Sequence, residues 1–255
     1  MRGLRGAIRL QLQIVRADRG YLNEILANPF FAIIFLGVVR ASGRNDLTSF
    51  AIVAPVLMTL WAMGLEISGN IVDSDRHLGI LEEVVATPTP FGTVVCGRVL
   101  TVTMLSAVAV AETWFVARVG FGVDVTIEHP EVFVATLLVT GLAMTGTALV
   151  MAGAFVLAGG ARTFQNTMNY PIYLLAGVLV PISFLPQWLR PVGRLIFLSW
   201  SADLLRDSLR AAPATDVWLR LGAIILLGTI GFAIGLLVLT LILRRVRELG
   251  TIGHT

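Results

Sequence analysis

The chain has 255 residues, of which 56% are hydrophobic and only 14% charged, with a mean hydropathy of +0.84. So apolar a chain cannot cover one soluble core with polar surface, which excludes a soluble globular domain and leaves an integral membrane protein. The chain's net charge is +3; all 19 basic residues are arginine, and they sit beside hydrophobic segments rather than along one soluble face, which sets nucleic acid aside as a partner.

Residues 1–19 carry Leu4, Ile8, Leu12 and Val15 at spacings of four, four and three, with Arg2, Arg5, Arg9 and Arg16 on other faces. That pattern predicts an amphipathic helix lying in the headgroup plane. It is too arginine-rich for a cleaved signal peptide, so the N-terminus is expected to be retained.

Asking for about 20 mainly apolar residues per crossing predicts six spans: 21–39, 48–69, 99–120, 132–158, 167–185 and 217–243. The first is the weakest, because Asn23, Glu24, Asn28 and Pro29 interrupt it. Glu66 and Glu112 are carboxylates inside apolar runs and read as interfacial or interhelix polar contacts rather than proton relays. Gly141, Gly146 and Gly153 in the fourth span, and Gly228, Gly231 and Gly235 in the sixth, predict close helix packing within the subunit. Phe30, Phe31, Phe35, Trp61, Tyr170 and Tyr173, with possible helix breaks at Pro171 and Pro181, are the candidates for a passage or gate.

With both termini on the cytoplasmic side, eleven of the nineteen arginines fall inside, and the five in residues 1–19 outweigh Arg40 and Arg44 across the first span. The longest inner loop is then 70–98. In it, Asp73, Ser74 and Asp75 predict a helix start, Leu78, Leu81, Val84 and Val85 form an apolar stripe, and Pro88 and Pro90 stop the helix. Glu82 and Glu83 face solvent or a partner. The segment 186–216 is amphipathic, broken by Pro191 and Pro213, and places Asp203, Arg206, Asp207 and Arg210 for ion pairs one helical turn apart.

The absence of lysine excludes a G-x-x-x-x-G-K-[ST] phosphate loop, a Schiff-base lysine and a lysine general base, so ATP chemistry would have to lie on another chain. The lone Cys96 excludes an internal disulfide and a cysteine metal cluster. His77, His129 and His254 fall outside the expected spans, which leaves no serine–histidine pair for an intramembrane hydrolase.

The run Asp75-Arg76-His77-Leu78-Gly79-Ile80-Leu81-Glu82-Glu83-Val84-Val85-Ala86-Thr87-Pro88, followed by Gly97-Arg98-Val99-Leu100, resembles the cytoplasmic signature of ABC-2-type permeases. Their usual pattern is near R-E-x-G-T-L-E-x-L-x-x-T-P. Arg76, Gly79, Leu81, Glu82, Thr87 and Pro88 match it, while His77 replaces a glutamate and Ile80 a threonine. Pro181 to Leu189, leading to Ser201 through Arg206, is similar to the segment that follows the fifth span in that family.

The resemblance implies an all-α polytopic membrane domain over 1–255. It would have six spans, an N-terminal interfacial helix and short outer helices over 186–216. It implies a permease of an ATP-binding-cassette exporter, not itself an enzyme, in the cell membrane. It would pair with a second permease, as homodimer or heterodimer, and with two copies of a cytosolic ATPase. No cofactor or metal would be bound directly; ATP and Mg would sit on the ATPase. The loop 73–90 would be the coupling element, with Arg76, Gly79, Leu81, Glu82, Glu83, Val85, Thr87 and Pro88 at the contact. The expected cargo is a hydrophobic or amphipathic drug, lipid or glycan. An ion-coupled secondary transporter and a non-transporting structural subunit are the alternatives; no internal repeat or midplane carboxylate cluster supports the first.

Overall fold

Helix α1, Arg19–Ser42, runs unbroken through Pro29, so the weakest expected span is a continuous 24-residue helix. The computed structural model describes residues 19–77, 108–158 and 161–249, together with Gln13 and Thr101. The surface helix expected over 1–19 therefore lies almost wholly outside the described residues. A one-turn 3-10 segment, Asn45–Leu47, leads into α2, Thr48–His77. Helix α3 occupies 108–115 and widens into a π-helical turn, Val116–Gly120. Then come α4, Pro130–Ala158, and α5, Ala161–Leu175. The short helices α6, Arg190–Arg194, and α7, Phe197–Ser208, precede α8, Val217–Leu249.

The described residues are helical or irregular, without strands. Among the described residues, three helices are long and apolar enough to cross a bilayer: Thr48–Leu65 within α2, Pro130–Ala154 within α4 and Val217–Val238 within α8. Leu26–Ser42 is a shorter apolar stretch. The chain is an all-helical polytopic membrane protein.

Two boundaries differ from the sequence reading. Asn70 to His77 continue α2, so Asp73-Ser74-Asp75 do not cap a new helix; an uninterrupted i to i+4 ladder satisfies their backbone without a cap. The fifth helix begins at Ala161 and stops at Leu175 rather than reaching 185. Its end is a Schellman turn: Gly177, at φ +70°, donates its N–H to Leu174 O at 3.1 Å, and Val178 donates to Tyr173 O at 3.0 Å. The apolar run Leu174 to Val180 hides this stop from any hydropathy reading.

Helices α4 and α8 form the closest pair. A methyl group added at Gly146 would run into the Gly228 carbonyl, and one at Gly228 would sit 2.6 Å from Ala143 Cα. Such backbone approach holds helices together in lipid, where apolar surface alone gives little drive. The two glycine series thus form a seam inside the subunit, as expected. The buried core is built around Leu57, Trp61, Met144, Leu149, Leu198 and Leu205, where α2, α4 and α7 meet.

The short α7 is held by charge as well as packing. Asp203 and Arg206 pair at 3.7 Å and Asp207 and Arg210 at 3.8 Å, the one-turn pairs anticipated above. Longer connections are tighter: Arg194 meets Asp203 at 2.7 Å and Arg220 meets Asp207 at 2.6 Å, tying α6 and α8 to the same helix.

Candidate functional site

A cleft of about 360 Å³ opens between α1, α2 and α5. Ala27 and Phe31 come from α1, Met58, Thr59 and Ala62 from α2, and Asn169, Tyr170 and Tyr173 from α5. The α5 residues recur at spacings of one and three, which sets them on one face of the helix. The rings of Tyr170 and Tyr173 meet edge to face with centroids 6.5 Å apart. Among the described residues, none of the lining side chains is a carboxylate, guanidinium or imidazole.

Behind the wall, polar groups are paired with defined direction. The Trp61 indole N–H donates to Asn169 Oδ1 at 3.2 Å, and the Tyr173 hydroxyl donates to Met58 O at 3.1 Å. Asn28, fully buried in α1, donates its amide nitrogen to Ala109 O at 3.1 Å, to Glu112 Oε2 at 3.1 Å and to Thr113 Oγ1 at 3.2 Å. Its Oδ1 accepts from Thr59 Oγ1 at 3.2 Å. Three helices are thus joined by one amide, about 20 Å from the Ser42 end of α1 at a rise of roughly 1.5 Å per residue. Glu112 is the interhelix contact the sequence suggested. The side chain of Glu66 lies outside the described residues.

Of the expected passage residues, Phe31, Tyr170 and Tyr173 line the cleft. Tyr170 is 64% exposed and Pro171 follows it within α5. Phe30 is 67% exposed on another face of α1. Phe35 stacks on Phe31 at 6.5 Å and packs against the core. Trp61 is only 2% exposed and lies one layer back, orienting Asn169 rather than lining the cleft. Pro181 caps the 3-10 turn Ile182–Phe184, beyond the end of α5. Thr59 and Ala62 escaped the sequence reading.

The residues expected to couple, Gly79, Leu81, Glu82, Glu83, Val85, Thr87 and Pro88, lie outside the described residues. Arg76 belongs to the last turn of α2, and its side chain is likewise outside them.

A second concavity, of about 420 Å³, lies where the α1–α2 turn meets the α3–α4 connection, and Asp46, Asp124 and Arg210 border it. Its charges are already answered: Asp46 by Arg44 at 2.9 Å, Asp124 by Arg118 at 3.5 Å and Arg210 by Asp207 at 3.8 Å. The hydrogen bond from Arg44 holds the Asp46 carboxyl below the usual carboxylate range.

A sequence profile of the family described as ABC-2 type transporter matches residues 8–209, most of the chain. The chain belongs to the ABC-2 type transporter family. This permease also resembles "Nodulation protein J" of Neorhizobium galegae, with 27% identity over 103 residues. That match covers 40% of this chain and 39% of the relative, well under half of the relative's length. Domains of this family are membrane components of transporters, and they typically pair with an ABC ATPase.

Proposed function

We propose that the chain is the permease subunit of an ATP-driven exporter, moved by a separate cytosolic ATPase through the loop 73–90. The observation that carries this reading is the family match over 8–209, which includes the loop with Arg76, Gly79, Leu81, Glu82, Thr87 and Pro88 in register with the family pattern. Leu81 and Val85 anchor a short helix in a groove of the ATPase, and Glu82 and Glu83 set its register against basic residues there. Two ATPase copies and a second permease complete the complex in the cell membrane, with both termini in the cytoplasm. ATP and Mg are held by the ATPase, and the permease itself binds no cofactor.

ATP acts on the permease only through its differential stabilisation of inward-open and outward-open arrangements. Cargo, an amphipathic or lipid-like molecule, passes along the α1–α2–α5 cleft, with Tyr170 and Tyr173 on its wall. The chain lacks lysine, consistent with an engine on another polypeptide.

The test is Glu82→Arg combined with Glu83→Arg in cells that also make the ATPase. The double variant reaches the membrane at parental level yet loses cargo export and cargo-stimulated ATP hydrolysis. Full export by the correctly inserted double variant removes the coupling assignment. Uphill export by the purified permease in vesicles without an ATPase removes the exporter reading altogether and favours an ion-coupled carrier.

A further inference from the structure

At the end of the bundle where α1 hands over to α2, the concavity bordered by Asp46, Asp124 and Arg210 adjoins a smaller hollow, and Ile52, Val125 and Leu209 line both. The smaller one holds about 30 Å³ between Val53 and Val56 of α2, Val110 and Trp114 of α3, Ile127, and Phe133 of α4. Its described walls are aliphatic or aromatic. Even the Trp114 indole N–H is spent within the wall, on Val125 O at 3.3 Å. Polarity therefore falls along the α2 axis. Thr48 and Pro130 open the stretches of α2 and α4 that are apolar enough to cross a bilayer, so Asp46, Asp124 and Thr126 stand just before the membrane-crossing stretches. Val53 and Val56 stand within them, roughly 8 and 12 Å beyond Thr48 at 1.5 Å per residue.

The charges around the larger concavity are paired but unevenly held. Arg44 and Asp46 close on each other at 2.9 Å, whereas Arg118 stands 3.5 Å from Asp124 and Arg210 stands 3.8 Å from Asp207, longer than a good N–H···O bond. Asp207 has its nearer partner in Arg220, at 2.6 Å. Arg210 and Asp124 are thus the most loosely held cation and anion there, with side chains 50% and 78% exposed. A guest of one sign would answer one of them and oppose the other; a guest carrying both signs answers both. We propose that the two hollows together form a site for a zwitterionic phospholipid, with its phosphate on Arg210, its primary ammonium on Asp124, and the start of one acyl chain over Ile52, Leu209 and the mouth of the apolar slot. A soluble zwitterion would use the charged rim alone; the apolar slot at bilayer depth is what assigns a lipid. The site shares no residue with the α1–α2–α5 cleft and stands independently of the cargo and the engine.

The probes are dioctanoyl phosphatidylethanolamine, dioctanoyl phosphatidylglycerol and free phosphoethanolamine, added to the delipidated full chain in detergent micelles and read by native mass spectrometry. Phosphatidylethanolamine binds about tenfold more tightly than phosphatidylglycerol, the effect of one charge-assisted hydrogen bond, and free phosphoethanolamine binds least. Asp124→Asn brings the two lipids to within about twofold of each other. Arg210→Gln weakens both by about tenfold. Ile127→Trp, at a wall position already 38% exposed, fills the slot and weakens both lipids. Should that variant not fold, Arg210→Gln alone locates the site. Glu131→Gln, an exposed carboxylate at the start of α4 outside both hollows, changes none of these affinities.

Equal affinity of the parent for the two lipids overturns the assignment of the ammonium to Asp124. Undiminished lipid binding in Arg210→Gln places the lipids elsewhere and overturns the site. Free phosphoethanolamine binding as tightly as its lipid overturns the membrane as the source of the guest.

Discussion

The guanidinium of Arg206 donates to the carbonyl oxygen of Gly177 at 2.7 Å, reaching from α7 to the end of α5 across 29 positions of sequence. The same nitrogen donates to Val178 O at 2.8 Å. These carbonyls lie just past the Schellman turn, where the helix supplies no partner. Arg206 is 3% exposed, lies 3.8 Å from the centre of the Phe50 ring and has Asp203 at 3.7 Å. Burial lowers the guanidinium to about 10, against the opposing pull of Asp203, so it stays charged at neutral pH.

Arg206→Met is expected to lower the unfolding free energy by about 3 kcal/mol, because it leaves two carbonyls without their buried charged donor, while Asp203 keeps Arg194 at 2.7 Å. Arg206→Lys recovers part of this, since an ammonium keeps the charge but not the planar fork. Unfolding in mixed micelles with rising SDS fraction reads both. A Met variant as stable as the parent would mean that water caps this turn.

The α4–α8 seam makes a sharper steric prediction. Gly228→Ala places a methyl 2.6 Å from Ala143 Cα, a backbone atom that cannot step aside, so the helices must part along their whole contact. A loss of about 2–3 kcal/mol is expected, at the upper range for overpacking. Gly222→Ala on the same helix meets nothing within 4 Å and should be neutral or slightly stabilising. The pair of variants, compared by yield of folded protein and SDS midpoint, separates steric contact from helix propensity. Equal behaviour would dissolve the seam.

These residues also mark how far the sequence could be read. The glycine seam was legible because small residues recur along two apolar runs, and the pairs Asp203–Arg206 and Asp207–Arg210 because they lie one turn apart. The bridges from Arg194 to Asp203 and from Arg220 to Asp207 were not, since they join separate helices across a turn whose geometry local patterning does not set. The stop at Gly177 was hidden in an apolar run, where hydropathy counts side chains and ignores φ. The coupling role of the loop 73–90 is what family resemblance implies, and its expected contact residues fall outside the described residues. In the cleft, Phe31, Tyr170 and Tyr173 line the wall, while Trp61 is buried one layer back with its N–H on Asn169, a pairing that aromatic patterning does not reveal.

Asn28 shows the same limit most clearly and carries the last prediction. By composition it weakens the first span; in the fold it is the most connected polar side chain there, with partners 31 to 85 positions away. Asn28→Leu removes every one of those bonds at once and leaves Glu112 and Thr59 facing an apolar side chain. Glu112→Gln keeps a side-chain carbonyl for the Asn28 amide to reach, and Asn28 retains Ala109 O and Thr113 Oγ1 in any case. The two substitutions should therefore be unequal. A cost of about 2 kcal/mol is expected for Asn28→Leu, as for other buried polar groups left unpaired, and well under 1 kcal/mol for Glu112→Gln, in line with single interhelical hydrogen bonds in membranes. Combining Asn28→Leu with Glu112→Leu should cost less than the sum of the separate losses, because the stranded carboxylate is gone. SDS unfolding of the parent, Asn28→Leu, Glu112→Leu and the combined variant forms a double-mutant cycle. Strict additivity would show that the amide and the carboxylate are neighbours without being coupled.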